Sequence, residues 1–164
     1  MMIFSERVRV WLGFGIVCLC LQSMNGAEEQ KSGGIRTIAK GAFSAIQEPM
    51  ELVITNKTQW EEIWKKQSKR IPPEPAPAVD FDKETVLFVS MGRKNTGGYG
   101  ISIESVRKAD SGVVAKVLKK SPAPGAMTIQ SLTAPFHIVA IPKGDGKVKF
   151  EIVEDAGKKE KQVQ

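Results

Sequence analysis

Val86-Leu87-Phe88-Val89-Ser90-Met91 is apolar on both of its alternating faces. Successive side chains of a strand point to opposite sides, so a chain built around this run must cover it twice. The run therefore reads as a central strand, and the remaining segments read as its neighbours and covers. Asp80-Phe81-Asp82 leads into it, and Gly92 with the basic, polar stretch Arg93-Lys94-Asn95-Thr96 leads out. Next comes Gly97-Gly98-Tyr99-Gly100, which holds the only Tyr of the chain. Paired glycines permit positive φ or a close approach of other backbone. A polar tip, two glycines and an aromatic between strands suit a tight turn and a binding loop equally, and both readings stand.

Upstream, Ile35 to Ile46 alternates loosely, with Gly41 as an expected bend, and Met50 to Ile54 reads as a short strand. The two are expected to pair as a hairpin. One helix follows. Thr58 with Glu61 has capping-box spacing, with Asn56 as an alternative cap. Trp60, Ile63, Trp64 and Gln67 fall at i, i+3, i+4 and i+7, which places both indoles on one face. That face reads as an anchor docking a lone helix on a sheet, in preference to a ligand platform. The helix ends near Ser68 to Arg70. Residues 71–79 form a proline-rich connector whose composition excludes helix and favours polyproline II.

Downstream, Tyr99 to Val106 is a strand whose apolar parity breaks near Glu104-Ser105, where a bulge is expected. Asp110-Ser111-Gly112 turns it into Val113 to Lys119. Ser121-Pro122-Ala123-Pro124-Gly125 is a second rigid loop, Met127 to Leu132 a further strand, and Phe136 to Ile141 another, closed by Pro142. Lys147 to Ile152 alternates, with lysines suited to a protected edge strand. About eight short strands, one helix and no internal repeat point to a mostly β, α+β fold: an antiparallel β-sandwich or partly open barrel with one docked amphipathic helix.

The ends bound the compartment. Arg7 and Arg9 precede an apolar run from Val10 to Leu21, which is shorter than the ~20 residues a bilayer span needs. Residues 1–27 therefore read as a secretory signal, cleaved after Ala27, and the mature chain is expected to be periplasmic or secreted with no stable membrane span. Cys18 follows Val17 and Cys20 follows Leu19, against a lipoprotein signal. Residues 28–34 read as a flexible lead, 35–154 as one globular domain and 155–164 as a disordered charged tail. Both cysteines leave with the signal, so the mature domain has no disulfide and no thiol chemistry. The signal carries Arg7, Arg9 and Glu6, so the formal net charge of +6 becomes +5, scattered over the surface. This suits solubility, and for an exported chain it leaves nucleic acid out.

Little catalytic chemistry can be assembled from these residues. His137 is the only histidine and sits among apolar strand residues. A general base needs a nucleophile and an orienting partner, and no Ser lies in a nucleophile context. One His without Cys makes no zinc site. Asp80 and Asp82 lack the full calcium-loop spacing. No enzymatic activity, cofactor or metal is expected.

Asp80-Phe81, the apolar strand to Gly92, Thr96-Gly97-Gly98-Tyr99 with Ile101 and Ile103, Pro124-Gly125, then Thr133-Ala134-Pro135-Phe136-His137-Ile138-Val139 and Pro142 occur in an order that resembles the C-terminal domain of the protease-complex subunit PrcB. The resemblance spans about Phe81 to Pro142, and a Trp-containing helix is often seen ahead of that domain. It implies an exported, non-catalytic accessory module. The family takes its name from a lipoprotein subunit that associates with and stabilises a subtilisin-like surface protease, so the implied partner is another protein, such as a subtilisin-like protease. No catalytic residues carry over, and lipid tethering is in doubt here. The candidate partner-binding residues are Asn95, Thr96, Gly97, Gly98, Tyr99, Pro124, Gly125, Pro135 and Phe136. Two alternatives stand beside this reading. Thr96-Gly97-Gly98-Tyr99 is faintly similar to the Thr-Gly-Tyr loop of chagasin-type protease inhibitors, and the scattered lysines suit an anionic envelope polymer.

Overall fold

The computed structural model describes residues 34–157 apart from Ser111 and Asp145. The expected signal segment, most of the lead and residues 158–164 of the tail lie outside the described residues. The order of elements is β1 (Arg36–Gly41), β2 (Pro49–Ile54), α1 (Lys57–Gln67), β3 (Glu84–Met91), β4 (Gly100–Ala109), β5 (Gly112–Ser121), β6 (Phe136–Pro142) and β7 (Lys147–Ala156). The strands form a four-stranded sheet in the order β1-β6-β3-β2 and a three-stranded sheet in the order β4-β5-β7. Together with the one helix they make an α+β sandwich, with no closed barrel among the described residues.

The doubly apolar run is satisfied as its sequence demands. Leu87, Val89 and Met91 face β4 and β5 across the sandwich, where Ile101, Ile103, Val113, Ala115 and Val117 meet them. Val86 and Phe88 face the opposite way, toward Ile54, Trp60 and Ile138 beneath α1. β3 and β6 pair with each other antiparallel, and every residue of β6 before Pro142 is buried. Burying one large apolar side chain stabilises by about 1.5–3 kcal/mol, so these two strands, covered on both faces, carry the largest share of the core.

Helix α1 docks through the predicted stripe, with Trp60 and Gln67 buried. Its cap is Asn56, not Thr58: Asn56 takes the extended backbone of a cap, its Oδ1 accepts from the Gln59 amide at 2.9 Å, and its Nδ2 donates to Gln59 Oε1 at 3.2 Å. Thr58 lies one residue inside the helix. The proline-rich connector is strapped to the indoles. Trp60 Nε1 donates to the Pro77 carbonyl and Trp64 Nε1 to the Glu74 carbonyl, each at 2.9 Å. Polyproline II repeats every three residues, so carbonyls 74 and 77 share the side that faces the helix.

Three expectations are corrected. β1 and β2 do not form a hairpin; β1 pairs with β6 and β2 with β3, on opposite edges of the sheet. Two central strands with no polar face recruit one neighbour each, and this outweighs proximity in sequence. β7 is an edge strand, as its lysines suggest, but it runs parallel to β5, so the sandwich is not purely antiparallel. β7 also continues to Ala156, past the expected domain end at Glu154. Met127 to Leu132 is not a strand, which leaves seven strands where about eight were expected. The β4–β5 hairpin and its bulge between Ile103 and Ser105 fall where the parity break places them.

Candidate functional site

Two connections cross between the sheets at one end of the sandwich. Residues 92–99 carry the chain from β3 to β4, and residues 122–135 carry it from β5 to β6. They lie side by side. Lys94 and Thr133 exchange backbone hydrogen bonds at 2.8 and 2.9 Å, the Gly97 amide donates to the Ile129 carbonyl at 2.9 Å, and Thr133 Oγ1 donates to the Thr96 carbonyl at 2.9 Å. Gly98 has φ of +86°, and a Cβ there would lie 3.1 Å from the Pro122 side chain and 3.4 Å from Thr128. Positive φ and close packing together explain the glycine.

The structure therefore brings the predicted loops together but sorts their residues. Asn95 is exposed at the tip, and Thr96 and Gly97 are half-buried against the second loop. Tyr99 is half-buried too. It packs against the inter-sheet core, with Lys94 Nζ 5.4 Å from its ring centre. Pro124 and Gly125 are exposed on a turn closed by the Ala126 amide donating to the Ala123 carbonyl at 2.9 Å. Pro135 and Phe136 are not surface residues. Pro135 is fully buried, and Phe136 sits in the core beneath α1, its ring against Gly41. They form the floor of the site; β6 begins at Phe136, which pairs with both β1 and β3.

Sequence reasoning missed the most exposed apolar side chains of this end. Met127, Ile129 and Leu132 are 103, 77 and 53% exposed, and Phe43, whose backbone bridges to Ala134, is 55% exposed. Residues 127–132 read as a strand, but no strand pairs with them, and their apolar side chains point to solvent. One signal was legible. From Ser121 to Pro142 no Asp, Glu, Lys or Arg occurs, in a chain that is 26% charged. Depletion of charge with exposed Met and apolar side chains characterises the central part of protein–protein interfaces.

The titratable residues do other work. His137 is 4% exposed and both ring nitrogens are engaged, Nδ1 by the Ile103 amide at 2.9 Å and Nε2 by Thr37 Oγ1 at 3.2 Å. Burial, helped by the Lys40 charge and opposed by Glu104, pushes its pKa down to about 4. The Lys83 ammonium, 2.9 Å from Asp80, holds that carboxyl below its ordinary range, and Asp80 closes the turn ahead of β3. Among the described residues no group of three or more His, Cys, Asp or Glu is placed to hold a metal ion. No described helix is long and apolar enough to cross a membrane.

No curated protein and no solved structure matches the chain. The family model described as PrcB C-terminal matches residues 85–142, which run from the second residue of β3 to the end of β6 and so take in both central strands and both crossing loops. Over that segment the chain is similar to the PrcB C-terminal domain family.

Proposed function

We propose that the protein is a non-catalytic accessory module, acting outside the cytoplasm after loss of residues 1–27, that docks on another protein through the end of the sandwich built by residues 93–99 and 122–132. A subtilisin-like protease is the partner class that the family suggests. The observation that carries the reading is the uncharged segment 127–132, which belongs to no strand. Three large apolar side chains stand in solvent there, on a backbone that the Gly97 amide ties at Ile129 and that ends at the Thr133–Lys94 bridge. A backbone tied at Ile129 loses less entropy on binding than a free loop, which favours docking over a merely solvated loop. His137, with both ring nitrogens occupied inside the sandwich, has no free role as a base, which supports the non-catalytic part.

The test is co-purification of the full chain with a subtilisin-like protease from envelope extract, beside the variant Ile129→Asp, with protease half-life and peptide hydrolysis measured in both. Recovery by the parent, loss in the variant and a longer protease half-life support an accessory role. Recovery with blocked hydrolysis shifts the reading to inhibition. Retention on anionic wall polymer that disappears at high salt, with no protein bound, replaces it with polymer binding.

A further inference from the structure

We infer that His137 is a positioning residue for this docking end: its neutral ring pins β4 to the four-stranded sheet, and a proton on Nδ1 releases the pin and frees the loop that carries Tyr99. The functional meaning rests on the proposed docking surface; the pin itself does not.

β4 is an edge strand, paired only with β5. An edge leaves a row of amides without partners in its own sheet. At the bulge between Ile103 and Ser105 one of these, the Ile103 amide, crosses the sandwich and donates to His137 Nδ1 on β6. An amide can only donate, so Nδ1 must present a lone pair and the ring proton must lie on Nε2. There it donates to Thr37 Oγ1 of β1, which makes His137 a three-way tie between β1, β6 and β4. Protonation puts N–H against N–H at 2.9 Å in a site closed to water, so the arrangement cannot survive in place.

The charged groups facing the ring are few. Lys40, opposite His137 in the β1–β6 register, opposes a proton; Glu104, at the bulge of β4, favours one; the β3 residue opposite is Val89, which is neutral. Only residues 100–102 separate the pinned amide from Tyr99. A second tie, Lys119 Nζ to Glu51 Oε1 at 3.1 Å, holds β5 to β2. Losing the pin therefore loosens β4 and its leading loop without parting the sheets.

The experiment is nitrogen-15 NMR on the full chain, following the His137 ring nitrogens, the exchange of the Ile103 amide and the backbone order of Tyr99 and Ile101 from neutral pH down through the ring's titration. The expected result is a non-protonated Nδ1 at neutral pH. As the ring titrates, Ile103 should lose protection about tenfold, the loss expected of one buried hydrogen bond, and Tyr99 and Ile101 should lose backbone order, while Val117 and Val139 keep both. His137→Gln retains an uncharged acceptor and donor and should hold Ile103 protected and Tyr99 ordered across the range; His137→Phe should lose both at every pH. A proton on Nδ1 at neutral pH, unchanged backbone order at Tyr99 through the titration, or the same pH profile in His137→Gln would each overturn the inference. These readouts use the chain alone, so failure to find a docking partner leaves the pin standing, and failure of the pin leaves the docking reading standing.

Discussion

Truncating Trp60 to Ala separates the two roles an indole pair on one helix face can play. Trp60 is 2% exposed and packs among Ile54, Val86, Phe88 and Ile138, so its removal opens a cavity in the layer between α1 and the sheet. Losses of this kind cost about 3–5 kcal/mol. The hydrogen bond from Nε1 to Pro77 adds little, because Pro77 is exposed and its carbonyl can turn to water. Trp64 is only half-buried, with its ring centre 5.2 Å from that of Trp60, and its truncation removes less area, for a cost of about 1–2 kcal/mol. Against a total stability of about 5–15 kcal/mol, Trp60→Ala should cut the urea midpoint severely and Trp64→Ala mildly, with m unchanged in both. Trp60→Phe keeps most of the buried area and should lose about 1–2 kcal/mol. The assay is urea unfolding of the full chain followed by far-ultraviolet circular dichroism. A cost below about 2 kcal/mol for Trp60→Ala, or equal costs for the two indoles, would refute the anchor and return the pair to the ligand-platform reading.

Acid should weaken the fold through His137. Above pH 6.5 the ring is neutral in both states; between 6.5 and about 4 the unfolded chain takes the proton first, so stability falls with pH and levels off below, by about 3 kcal/mol in all, and urea midpoints of parent and His137→Gln across that window measure it. Gly112→Ala places a Cβ 2.2 Å from the Lys147 carbonyl at φ of +139°, which forces β5 and β7 apart; a loss above about 2 kcal/mol is expected in thermal unfolding, and an unchanged Tm would contradict the register. Phe136→Ala should destabilise by about 3 kcal/mol as a core truncation, whereas Ile129→Asp should change stability by less than about 0.5 kcal/mol; calorimetry of the two variants distinguishes floor from surface.

The legible features were those written in local periodicity. A run without a polar face needs two covers, and Val86 to Met91 has them. A stripe at i, i+3, i+4 and i+7 needs one, and Trp60 to Gln67 found it. A parity break at Glu104-Ser105 is a bulge because a strand cannot otherwise keep Ile101, Ile103 and Val106 on the core side. Of the site, the Thr96–Gly98 stretch packs against Pro122, Thr128, Ile129 and Thr133 because both loops leave strand ends on the same side, whereas Pro124 and Gly125 stand apart from it. Composition misled at Met127 to Leu132, because apolar side chains between turn signals read as a strand whether or not a partner edge is free to pair with them. Pro135 and Phe136 misled for a related reason: an aromatic after a proline reads as a loop feature until β1 and β3 close over it.

By itself the sequence determined how many faces each segment must bury and where the backbone must turn or bulge, because apolar spacing and glycine, proline and cap chemistry act within a few residues. Tertiary structure alone decided the partners: β1 and β2 on opposite edges, β7 parallel to β5, the connector strapped to the indoles, His137 tied to Ile103 and segment 127–132 left outside. Each of those choices joins residues distant in the chain, and its free energy depends on which buried surfaces and hydrogen-bonding groups remain unmatched once the central strands have paired.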